Sequence, residues 1–227
     1  MISNNIESGE LAVGVIAGTL TDTQFGLNYL AGQNTRALGV SISQTPQAQT
    51  NLQALDRESL TQRVLDAIDK LVAAGMNAVM IYCNSLSGAI NLEQVHAHSP
   101  VRVVTPLEIY QQLTKQYRNF GLLAANCQST ANIEKNILAF NPTAKVIGIG
   151  NLQIVEDIEA NLPPEMIVNL HALKELTSAL TKSGVQILIL GCTHFDYIFE
   201  ALDKVSKDIR LFLPSEGMLN VLRADLR

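Results

Sequence analysis

The sequence predicts an α/β protein made of two similar domains, each a parallel-type sheet flanked by helices and related to the other by pseudo-symmetry. Three observations carry this. Short apolar runs alternate with longer stretches of helical period along the whole chain. A weak repeat places AVGVIAGTLTDT (12–23) against NFGLLAANCQST (119–130), with Gly14 meeting Gly121, Ala17 meeting Ala124 and Thr23 meeting Thr130. The later motifs IYCNS (81–85) and LGCTH (190–194) lie at nearly the same offset, each ending an apolar run in a cysteine followed by polar residues.

The elements follow in order. LAVGVIA (11–17) reads as a buried strand and ALGVSI (37–42) as another. Leu60, Val64, Ile68, Leu71 and Val72 share one helical face, with Asp56 as its cap and Gly75 as its stop. AVMIY (78–82) is a strand, a helix runs from near Ser85 toward Gln94, and VRVV (101–104) is a strand. Thr105, Pro106 and Glu108 read as N-cap, N1 and N3 of a capping box opening a helix over 106–117. Strand 119–125, helix 130–140, strand 145–149 and helix 151–160 come next. After Pro163-Pro164 a helix covers 165–182 and stops at Gly184. Strand 185–190 runs into Gly191-Cys192-Thr193-His194 and a helix to about 206, then strand 209–213 and a last helix from Ser215.

Composition narrows the classes. Hydrophobic residues make up 47% of the 227 and charged ones 16%, which argues for a folded core. The net charge is −5 with no basic stripe, so nucleic acid is not an expected partner. The opening Met1–Glu7 lacks the pattern of a leader, and no apolar run has the length of a membrane span. Three cysteines at strand ends suit free thiols in a reducing compartment, so the expected location is cytoplasmic. No CxxC or HExxH cluster announces a metal site, and neither GxGxxG nor GxxxxGK[ST] announces a nucleotide.

In parallel sheets ligands gather beyond the C-terminal strand ends. The polar clusters there are Gly18-Thr19 with Asp22-Thr23, Cys83-Asn84-Ser85, Asn126-Cys127 with Ser129-Thr130, and Cys192-Thr193-His194. Hydroxyl and amide side chains at helix starts suit a carboxylate ligand, and a thiol there can be tuned by local dipoles. A lone cysteine at a strand end is ordinarily packing; the duplication of Cys83 and Cys192 is what lifts them out of that reading. Cys127, whose repeat-mate is Leu20, reads as structural, His96 and His98 as solvated, and His171 as a surface helix residue.

CNSLSGAI (83–90) and LGCTHFDYI (190–198), with the opening VGVIAGT (13–19), resemble the signature segments of the aspartate/glutamate racemase family in order and spacing. The resemblance implies two domains, 1–105 with 208–227 and 106–207, and an active site in the cleft between them. It implies catalysis without pyridoxal phosphate, metal or other cofactor. One of Cys83 and Cys192, as thiolate, removes the α-proton from one face while the other, as thiol, protonates the opposite face. His194 would assist the second cysteine or the substrate ammonium group. Asn84, Ser85 and Thr193 would bind the substrate carboxylate, with Thr19, Thr23 and Thr130 as further contacts.

The sequence departs from the glutamate-racemase form in two places. Ala17-Gly18-Thr19 stands where that form has an Asp-Ser pair, leaving Asp22 either as a replacement acid or as a turn or cap residue. Ser41-Ile42-Ser43-Gln44-Thr45-Pro46 stands in place of a Pro-Tyr-Gly loop, leaving Arg36 or Arg57 as candidates for a side-chain carboxylate. The expectation is a racemase of glutamate or aspartate, with another amino acid or a hydantoin as alternative substrate. A non-catalytic binding protein for small carboxylates is the competing class. Homodimers are common in the family, so a homodimer is expected by analogy.

Overall fold

The structure is a computed structural model describing residues 10–45, 47, 48, 51 and 56–225. Met1–Glu7 and Pro46 of the loop noted above lie outside the described residues. The first half contains β1 (Ala12–Ala17), α1 (Leu20–Gly32), β2 (Arg36–Ser41), α2 (Arg57–Ala73), β3 (Ala78–Ile81), α3 (Asn84–Ala89), α4 (Leu92–His98) and β4 (Arg102–Val104). There follow α5 (Pro106–Leu113), β5 (Asn119–Ala124), α6 (Cys127–Phe140), β6 (Lys145–Gly150), α7 (Leu152–Glu159), α8 (Pro164–Leu170), α9 (Leu173–Lys182) and β7 (Ile187–Leu190). A 3₁₀ turn (Thr193–Ile198), α10 (Phe199–Val205), β8 (Arg210–Phe212) and α11 (Ser215–Ala224) complete the chain.

Among the described residues the strands form two four-stranded sheets, ordered β2-β1-β3-β4 and β6-β5-β7-β8, parallel at every pairing. The two orders are the same pattern, and the repeat seen in the sequence is the reason. Gly14 of β1 and Gly121 of β5 sit at equivalent points, each paired with both neighbours. A Cβ at Gly14 would lie 2.8 Å from Leu71 Cδ1, and one at Gly121 would lie 3.1 Å from Leu188 Cδ1. The strands β1, β3 and β7 are buried throughout because helices cover both faces of each sheet.

One face of the first sheet packs Leu60, Val64, Ile68 and Leu71 of α2 against Ile16, Val79 and Ile81. The other face takes Met218, Leu219 and Leu222 of α11 against Val13, Val15, Met80 and Tyr82. The helix α5 turns Leu107, Tyr110 and Leu113 onto Phe120, Leu122, Ile187 and Ile189 of the second sheet, while Ile109 joins the first-half cluster. β8 pairs with β7, so the chain is still in the second sheet at Phe212 and returns to the first half only with α11. The boundary expected at 208 lies just before β8, whose ladder hydrogen bonds are to β7.

Several boundaries differ from the sequence reading for local reasons. The long helix expected over 165–182 is two helices, broken where Ala172 adopts φ +48°. The helix expected from Ser85 to Gln94 breaks at Ile90, and Asn91 caps the second piece by accepting from Gln94 N–H. The Thr105 capping box does not form: Thr105 makes no cap bond, and Glu108 is drawn to Arg102 at 2.6 Å. Electrostatic pairing with a cation outcompetes the backbone N–H. α6 begins at Cys127 rather than 130, capped by Asn126, and this leaves Cys127 exposed rather than packed. His171 closes α8 and lies 2.8 Å from Asp157, so it is a paired residue rather than a free surface one.

Candidate active site

Cys83 and Cys192 follow β3 and β7, the equivalent third strands of the two sheets. Both are buried, at 2% and 8% exposure, and neither is in a disulfide. Cys83 caps α3: its Sγ accepts from Leu86 N–H at 3.4 Å and lies 3.2 Å from Ser85 Oγ. Burial pushes its thiol up to about 12, with the nearby Asp22 adding to the effect. Cys83 is therefore held as a thiol at neutral pH.

The surroundings of Cys192 differ. Its Sγ lies 3.6 Å from His194 Nδ1. His194 is 1% exposed, and burial alone would discharge it. Two acids reverse that: Asp22 Oδ1 is 3.5 Å from Nδ1 and Glu159 Oε1 is 2.9 Å from Nε2. With Cys192 they raise the imidazole well above its usual range, so it is a cation at neutral pH. Phe25 packs edge-on to the ring at 5.9 Å and fixes its plane. The two sulfurs thus sit at equivalent places in opposite electrostatic settings.

Asp22 joins these settings. It is 1% exposed, accepts from Thr193 Oγ1 at 2.6 Å and from Gly18 N–H at 3.3 Å. Burial raises its carboxyl and the His194 charge pulls it back. Thr19 caps α1 through Asp22 N–H at 3.1 Å and donates to Glu159 Oε1 at 2.5 Å. Glu159, held below the usual carboxylate range chiefly by the His194 hydrogen bond against the opposing effect of burial, was not singled out from the sequence. It ends α7 with no motif around it, and only the fold carries it to the histidine.

Among the other residues read from the sequence, Asn84 and Ser85 lie at the start of α3 beside Cys83. Asn84 Oδ1 accepts from Tyr110 Oη at 2.5 Å, which leaves Nδ2 buried without a protein partner. That amide is a donor ready for a carboxylate. Thr23 and Thr130 are not brought to the sulfurs by any contact. Each donates its hydroxyl to its own helix start, to Thr19 O at 2.7 Å and Cys127 O at 2.8 Å. Each also packs on the edge-strand glycine of its half, Gly39 or Gly148. Their symmetry in the repeat is thus explained by packing. Arg36 starts β2, at the end of the strand opposite the cysteines, and the Arg57 guanidinium bonds Ile90 O at 2.9 Å. No hydrogen bond among the described residues joins either to the paired thiols. Among the described residues no three His, Cys, Asp or Glu side chains form a metal-ligand group. No described helix is long and apolar enough to cross a membrane.

Two pseudo-symmetric α/β halves with a buried cysteine at the same strand end of each define the racemase fold. A glutamate racemase isoform from Bacillus anthracis superposes with a TM-score of 0.75 at 15% identity, over 97% of this chain and 82% of that one. An aspartate racemase homologue from Pyrococcus horikoshii OT3 superposes with a TM-score of 0.65 at 16% identity, over 95% of this chain and 98% of that one. These likenesses show the fold. The family model for Asp/Glu/Hydantoin racemase matches residues 26–212, and the chain belongs to that family. A glutamate racemase of Latilactobacillus sakei subsp. sakei (strain 23K) is 30% identical over 152 residues, 65% of this chain and 55% of the relative. The match thus spans little more than half the length of that relative.

Proposed function

We propose that this protein is a cofactor-independent amino-acid racemase, with glutamate or aspartate as first substrate, working by proton transfer between Cys83 and Cys192. The observation that carries the reading is the opposed setting of the two sulfurs: Cys83 held as a thiol, Cys192 beside the His194 imidazolium. A negative sulfur at Cys192 has a cationic partner there. It takes the α-proton and becomes a thiol; Cys83 gives its proton to the other face of the carbanion and becomes a thiolate. The proton count is unchanged, the stereocentre is inverted, and the enantiomer is processed from the swapped state.

Asp22 and Glu159 stabilise the imidazolium, and Thr193 orients Asp22. The free Nδ2 of Asn84, with Ser85, supplies donors where charge builds on the substrate carboxylate. A wider substrate range, another amino acid or a hydantoin, is a second reading. It is favoured by Arg36 starting β2 at the strand end opposite the cysteines and by the Arg57 guanidinium being engaged by Ile90 O, which leaves neither with an observed role in selecting a second carboxylate.

The test is incubation in D₂O with each enantiomer of glutamate, aspartate, other amino acids and hydantoins, followed by proton NMR and chiral separation. Wild type should exchange the α-proton with inversion, and Cys83→Ser and Cys192→Ser should each lower inversion by about 10²-fold or more. Exchange without inversion removes the paired roles. Saturable binding with no exchange for any substrate supports a carboxylate-binding protein instead.

A further inference from the structure

Tyr82, Asp196 and Ser215 take no part in the chemistry above, yet they bring three distant segments to one buried point. Tyr82 immediately precedes Cys83. Asp196 lies in the 3₁₀ turn four residues beyond Cys192. Ser215 opens α11, the helix that returns to the first half. Tyr82 Oη donates to Asp196 Oδ2, Ser215 Oγ donates to the same oxygen at 2.8 Å, and the two hydroxyls are 3.2 Å apart. Tyr82 is 0% exposed.

Packing alone does not account for this arrangement. The ring of Tyr82 sits among Val13, Val15 and Met218, where a phenylalanine would fill the same space without a hydroxyl to satisfy. The tyrosine is also held at its other end: Thr193 Oγ1 lies 3.1 Å from the carbonyl oxygen of Tyr82. The residue before one cysteine is therefore gripped through backbone and side chain by residues one and four beyond the other. Burial lifts the Asp196 carboxyl to about 6, so at neutral pH it is an anionic acceptor and its two hydrogen bonds are charge-assisted.

We propose that Asp196 is a positioning residue that, by holding Tyr82 and Ser215 together, fixes the segment carrying Cys83 against the segment carrying Cys192. The value of this clasp for catalysis rests on the two-thiol reading, but its effect on the sulfurs is measurable without a substrate. Hydrogen bonds fix direction as well as distance, and a proton-transfer pair flanking one carbon tolerates little error in either.

The experiment labels the full chain with iodoacetamide and reads each cysteine by mass spectrometry, with exposed Cys127 as internal reference. Each variant is compared at the same interval below its own Tm. Asp196→Ala should raise labelling of both Cys83 and Cys192 relative to Cys127 by about fivefold or more, since the loss of the clasp favours local opening. Asp196→Asn, which keeps an acceptor oxygen, should return both to within about twofold of wild type. Ile137→Val, a core change in the cluster beneath α5 that contains neither cysteine, should move neither. Where racemisation is found, Asp196→Ala should lower kcat by about tenfold with KM little changed. The proposal is overturned if either cysteine stays at its wild-type ratio in Asp196→Ala, if Asp196→Asn fails to restore both, if Ile137→Val moves them as far, or if kcat is unaffected. A wild type that racemises nothing defeats the two-thiol reading alone, and the labelling ratios still decide the clasp.

Discussion

The charge on His194 decides how the two cysteines differ. Desolvation opposes a buried imidazolium, and Asp22 with Glu159 overcomes it. The sign is open to measurement. A histidine whose folded value is raised favours folding fully below its ordinary value of 6.5, and that contribution is lost as pH rises through the folded value. Removing an anion from its side must lower the folded value. In Glu159→Gln, the NMR titration midpoint of the His194 ring protons should fall relative to wild type. The window over which this histidine stabilises the fold should shrink from its alkaline side. An unchanged or higher midpoint would mean that Glu159 does not hold the charge. Asp22, Cys83, Cys192 and His194 were legible in the sequence from the repeat and the paired motifs; Glu159, outside any motif, and Asp196, inside 190–198 but given no role there, were not, because their meaning depends on partners 35 and 114 residues away.

Among the elements, the break between α8 and α9 is the most exposed to a simple test. The sequence from 165 to 182 has the apolar period of one helix, and no glycine marks the interruption. The chain nevertheless turns at Ala172, whose φ of +48° is strained for any residue with a Cβ. The turn lets Ile167, Val168 and Leu173 all reach the second-half core, which a straight helix could not do. Ala172→Gly should relieve the strain and stabilise the protein by about 1 kcal/mol in denaturant unfolding. A loss of stability would show that the conformation costs little there. The other element-level departures have a similar origin: Glu108 left its capping position for Arg102, a choice that local sequence rules do not include.

For the whole molecule, the close approach of the two halves matters as much as either sheet. The helices α3 and α6, one from each half, meet at Gly88, where a Cβ would lie 2.7 Å from Asn132 Cβ and 2.8 Å from its Cγ. α3 starts directly after Cys83, so its seating on α6 also sets that sulfur. Gly88→Val should force the helices apart at a cost of about 1–3 kcal/mol in unfolding free energy. It should also lower racemisation by more than Ala172→Gly changes it, since only Gly88 lies on the helix that Cys83 caps. Equal effects on activity would argue that the seating of α3 is irrelevant to the site.

The sequence by itself determined the class, the repeat and the two thiols. Alternating apolar runs, matched glycines and duplicated cysteine motifs are local patterns, and they survive folding unchanged in meaning. The tertiary structure alone decided which neighbours those thiols have. Thr23 and Thr130, expected as ligand contacts, have their hydroxyls engaged by their own helix starts and their side chains against edge-strand glycines. Arg36 and Arg57 looked available; Arg36 starts β2 at the end opposite the cysteines, and the Arg57 guanidinium is engaged by Ile90 O. Glu159 closed on His194, and β8 stayed with the second sheet before α11 crossed back. Each outcome depends on burial and on pairing between segments distant in sequence, which no window of neighbouring residues contains.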